Sequence, residues 1–120
     1  MIKWNIVDFK KNIPECIEFC SMKERENMLD ANDGIHIFFG MVIVPYFIYL
    51  VDTNQDILAK KVSSFFENMA INEDIKVQEV LDFTVLEQLA DEGHDKFEQY
   101  KKYMENETLE HCVSTEKYFY

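Results

Sequence analysis

Two cysteines one helical turn apart, Cys16 and Cys20, a third at Cys112, and the imidazoles of His36, His94 and His111 are ligand types from which a zinc tetrahedron is built. Their settings argue against that use. Cys16 and Cys20 belong to the apolar stripe Ile13, Cys16, Ile17, Cys20, where a free thiol packs as a small hydrophobe. His36, at the head of an apolar run, reads as a polar residue satisfied at a helix start rather than as a catalytic base. Glu67 in FFENM and Glu87 in VLEQL each interrupt apolar sequence. A buried carboxylate pair could trade protons, whereas a single glutamate in such a helix ordinarily marks its wet face. The sequence holds no glycine-rich phosphate loop, His-Glu-x-x-His, Cys-x-x-Cys or Gly-x-Ser-x-Gly. The expectation is a protein that is not an enzyme and holds no metal or cofactor.

Charge is the stronger signal. The formal net charge is −11: from Met1 to Phe66 nine acidic residues stand against seven basic ones, and from Glu67 to Tyr120 fourteen stand against five. The second half must therefore present a negative surface. Its densest part is the set Glu73, Asp74, Glu79, Asp82, Glu87, Asp91, Glu92, Asp95 and Glu98, which are the candidate partner-binding residues. Arginine, the usual fork for phosphate, occurs only at Arg25, so direct contact with nucleic acid is not expected. A positively charged protein would be steered toward such a face; solvation alone is the ordinary alternative.

These side chains need a frame, and its centre is Ile35 to Val51, IHIFFGMVIVPYFIYLV, which must leave water. A membrane-spanning helix needs about 20 apolar residues and anchoring cations; this run is shorter, contains His36, Gly40 and Pro45, and lies between Asp33 and Asp52. It is expected at the centre of a core, not in a bilayer. Pro45 cannot donate a backbone hydrogen bond, so two short helices or one bent helix, buried nearly all round, are expected there. Its Val and Ile content leaves a strand as the competing reading.

Three glycines and two prolines supply little turn chemistry for a sheet. Residues 1–120 are therefore expected as a single all-α domain of about five to six helices, HEAT-like or an irregular bundle around a buried central helix. Trp4, Ile6, Val7 and Phe9 form an amphipathic opening. Asn12 is placed as an N-cap with Glu15 completing a capping box, for a helix running to about Leu29 and the loop Asp30 to Gly34. Thr53 with Asp56 is expected to cap a helix carrying Leu58, Val62, Phe65 and Met69. Asn72 is expected to cap the next, which carries Val77, Val80, Leu81, Val85, Leu86 and Leu89 and stops near Gly93. These two make an αα-hairpin pattern. A helix over His94 to Met104 and another from about Glu107 follow, the last ending in Tyr118, Phe119 and Tyr120, which either dock or form a sticky patch. The opening residues lack a secretory signal, and an odd cysteine count suits a reducing compartment, so a cytoplasmic protein is expected.

The run HIFFG…VPYFIYL, then SFFENM, the polar turn with Glu73 and Asp74, and VQEVLDFTVLEQL, in a small acidic helical chain without catalytic motifs, resembles the helical, HEAT-like immunity proteins of bacterial toxin–immunity systems such as contact-dependent growth inhibition. The resemblance covers about Ile35 to Ala90 and carries over no contact residue by position. It implies a tight complex with a cognate toxin domain, often a basic nuclease, whose active site is blocked. The alternative is a helical adaptor in a cytosolic regulatory complex, binding several partners through its aromatic tail.

Overall fold

The computed structural model describes residues 6–30 and 32–120, so Trp4 of the amphipathic opening and Ala31 of the loop fall outside the described residues. Seven helices and no strand occur among the described residues. They are α1 (Ile6–Asn12), α2 (Ile17–Glu26, entered through a 3-10 turn at Pro14–Cys16), α3 (Ile35–Asp52), α4 (Asp56–Ala70), α5 (residues 75–90), α6 (His94–Lys101) and α7 (Asn106–Phe119). The fold is all-α, an irregular bundle around α3, with more helices than the pattern predicts because Ile6–Asn12 coils separately before Pro14.

The apolar stretch is one helix, neither two pieces nor a strand. By length and composition α3 could cross a membrane; in the fold Phe38, Phe39, Val42, Ile43, Val44, Phe47 and Leu50 are buried among the other helices. It is not buried all round, because Ile37, Met41 and Tyr49 stay exposed on one side. Pro45 is accommodated by a π turn over Phe39–Ile43. There the Val44 amide donates to the Phe39 carbonyl, five residues back, so the next carbonyl, Gly40, would look to residue 45 for its donor. Proline has none. Gln88 of α5 supplies it instead, its Nε2 donating to the Gly40 oxygen at 2.9 Å. Gly40 permits the approach, since a Cβ there would lie 3.3 Å from both Gln88 Oε1 and Thr84 Cγ2. α5 is widened at the same level by its own π turn, Val80–Leu86.

Around this axis Phe9 of α1 meets Phe65 of α4 edge to face at 5.1 Å, and Phe47 of α3 meets Phe66 at 5.4 Å and Tyr100 of α6 at 5.9 Å. Cys16, Cys20 and Cys112 are fully buried, Cys112 against the Met104 sulfur. The predicted caps move. Asn12 ends α1, its amide reaching back to the Asp8 carbonyl, and Ile13 precedes the 3-10 turn without a side-chain cap. Met28, at φ 53°, and Asn54, at φ 58°, close α2 and α3 in the left-handed region, so α2 stops at Glu26, short of Leu29. Thr53 bonds backward to the Tyr49 carbonyl, ending α3 rather than starting α4. Asp74, not Asn72, caps α5, accepting from the Lys76 amide at 3.0 Å, while Asn72 accepts from the Asp74 amide. Gly93, at φ 111°, turns the chain from α5 into α6. The tail divides: Tyr120 donates its phenol to the Ala90 carbonyl, Phe119 is partly buried and Tyr118 stands in solvent.

Candidate partner-binding surface

Two carboxylates and a histidine fix the N-terminal half of α7 against α4 and α5. At its start Glu67 of α4 accepts from the amides of Glu107 and Thr108 and from the Thr108 hydroxyl, and Ser64 donates to Glu105 at 2.8 Å. One turn further on, His111 Nδ1 meets Asp82 Oδ1 at 2.5 Å. Glu67 and Glu87, the two glutamates in apolar sequence, thus serve different ends and do not pair. The three imidazoles also separate: His36 meets Thr84 Oγ1 at 2.5 Å, His94 lies 3.7 Å from Glu98, and His111 holds Asp82.

Between the two helices runs a groove of about 500 Å³ lined by Asp82, Phe83, Glu87, Ser114, Thr115, Tyr118 and Phe119. The π turn of α5 contributes to it, because bonding five residues apart brings Asp82 and Glu87 toward a common side. Among the described residues no lysine or arginine lines it. Phe83 is 64% exposed and Tyr118 83%, large apolar surface left in water beside two carboxylates.

All nine predicted acidic residues are exposed or partly exposed, but they do not share one site. Asp82 and Glu87 face the groove. Glu73 and Asp74 precede α5, with Asp74 occupied as its cap; Glu79 is exposed along α5; Asp91, Glu92 and Asp95 cluster at the turn into α6. Glu98 is bound at 2.9 Å by Lys101, whose hydrogen bond holds its carboxyl below the usual range. Among the described residues no ion pair reaches Glu73, Glu79, Glu87, Asp91, Glu92 or Asp95.

The structure also gathers His94, Glu98 and Glu116, with potential ligand atoms within 4.8 Å of one another. Lys101 occupies this cluster, its Nζ 2.9 Å from Glu98 and 2.7 Å from Glu116, so a metal ion would compete with a tethered ammonium. A second groove of about 510 Å³ sets Arg25 alongside Glu15 and Glu18, so a cationic partner would meet a like charge there.

Sequence reasoning treated the acidic stretch and the aromatic tail as separate candidates, and missed Ser114 and Thr115. The available signal was Phe83, an aromatic out of phase with the buried Val80, Leu81, Val85 and Leu86. The family model described as Domain of unknown function (DUF7674) matches residues 6–120, and the chain belongs to that family. No curated protein and no solved structure matches it.

Proposed function

We propose that this member of the DUF7674 family acts by capture: in a bacterial cytoplasm it binds a positively charged toxin domain, such as a nuclease, and blocks it, as an immunity protein does. In this reading the chain makes and breaks no bond. The α5–α7 groove carries the proposal, because it joins carboxylates, exposed aromatic rings and hydroxyls, with no lysine or arginine among the described residues that line it. Interface centres are rich in such rings, and unpaired carboxylates around them draw a cationic partner. Glu73, Glu79, Asp91, Glu92 and Asp95, without ion pairs among the described residues, add negative charge from the start of α5 to the start of α6.

The test is capture at low salt from cells of the source organism, followed by calorimetry with the purified partner and co-expression of the two genes. The expected result is one basic protein, bound at nanomolar Kd or tighter, whose toxicity this chain suppresses. Several weak partners, all lost on deleting Tyr118 to Tyr120, would favour the adaptor reading instead.

A further inference from the structure

Charge alone does not require aromatic rings in solvent, yet the α5–α7 groove presents one from each helix, Phe83 and Tyr118. Phe119, partly buried, packs against Tyr118 at 5.6 Å between ring centroids and limits where that ring can lie. Glu87 lines the same groove without an ion pair among the described residues, whereas Asp82 is tied to His111. A ring face is negative and attracts a cation, the more so where a carboxylate stands beside it. Ser114 and Thr115 add hydroxyl oxygens that can accept hydrogen bonds. The space, about 500 Å³, exceeds one side chain and leaves room for flanking residues.

We infer that this groove receives an arginine side chain of the partner, its guanidinium stacked on Phe83 or Tyr118 and hydrogen-bonded to Glu87. Arginine fits better than lysine: its planar group lies flat on a ring and meets a carboxylate through two parallel N–H donors, and it sheds water more readily than a compact ammonium. The inference rests on the capture reading and adds to it the residue that is captured.

The experiment uses the full chain labelled with nitrogen-15 and titrated in low salt with blocked hexa-arginine and hexalysine peptides. Hexa-arginine is expected to shift the amides of Phe83, Glu87, Ser114 and Tyr118 and to bind several-fold more tightly than hexalysine. Phe83→Ala and Tyr118→Ala should each weaken hexa-arginine by about two- to fivefold and leave hexalysine unchanged. Both rings are exposed, so these variants keep the fold, which their spectra report directly. Equal affinities for the two peptides, indifferent to both ring variants and with shifts spread over Glu73, Asp91 and Glu92, would overturn the arginine site and leave acidic capture standing. Failure of both peptides to bind would overturn both.

Discussion

Glu67 shows how a residue that sequence offers as acid–base chemistry becomes architecture. The first amides of a helix have no partner within it, and a carboxylate there meets both the hydrogen-bonding need and the positive end of the helix dipole. Glu67 does this across the fold, one oxygen taking the Thr108 amide and hydroxyl at 2.8 Å and the other the Glu107 amide at 3.1 Å. Glu67→Ala should therefore cost about 1–3 kcal/mol in urea unfolding, with Glu67→Gln recovering part of it; an unchanged midpoint for the alanine variant would show that the cap is idle. Titration gives a second residue-level expectation. Burial raises the Cys112 thiol from 9.0 to about 12 and the Tyr100 phenol from 10.0 to about 12. Both are neutral when protonated, and the unfolded chain releases these protons at lower pH than the folded one. The stability they confer is therefore complete below pH 9.0 and declines as pH rises toward about 12, by about 1.4 kcal/mol per unit for each group at most. Urea midpoints measured from pH 8 upward should fall through this window, as about one proton per group is released on unfolding. Midpoints flat to pH 11 would contradict the burial of both groups.

At the scale of elements, the junction of α3 and α5 is the feature that propensity and period could not disclose. The apolar run, its helical length and its central place were legible from Ile35 to Val51, as were the helix carrying Val62, Phe65 and Met69 and the stop at Gly93. The sequence leaves open two short helices or one bent helix at Pro45; the run stays one helix from Ile35 to Asp52 because its need for a donor is met from outside. The missing donor comes from Gln88, nearly fifty positions away, and only the packed fold supplies it. Caps were misplaced for a similar reason. Asn12, Thr53 and Asn72 are all cap-forming types, but Met28 and Asn54 in left-handed backbone and Asp74, two residues after Asn72, decide the boundaries. Gln88→Met keeps side-chain length and removes the amide, so it should leave the Gly40 carbonyl unpaired. A loss of about 1–2 kcal/mol, with faster amide exchange in Phe39–Ile43, is the expected outcome. Unaltered exchange there would mean that the π turn stands without Gln88.

Over the whole molecule, the separation of charge was legible and its placement was not. The excess of carboxylates after Glu67 can be counted in the sequence, yet nothing in it tells that His111 binds Asp82, that Lys101 binds Glu116, or that the tail folds beside α5. These contacts join residues on different helices or helix faces and depend on how α7 is seated by Glu67. What remains is a groove with two carboxylates and two exposed rings, with Asp91, Glu92 and Asp95 exposed at the turn from α5 into α6. We propose that this face draws in a cationic protein. The most direct test is the association rate of the captured partner, followed across a salt series for the native chain and for one carrying Glu79→Lys, Asp82→Lys, Glu87→Lys and Asp91→Lys. The rate is expected to fall steeply with salt and to drop about tenfold or more in the variant, whose own salt dependence is weak or reversed. Equal rates for the two proteins at every ionic strength would contradict it.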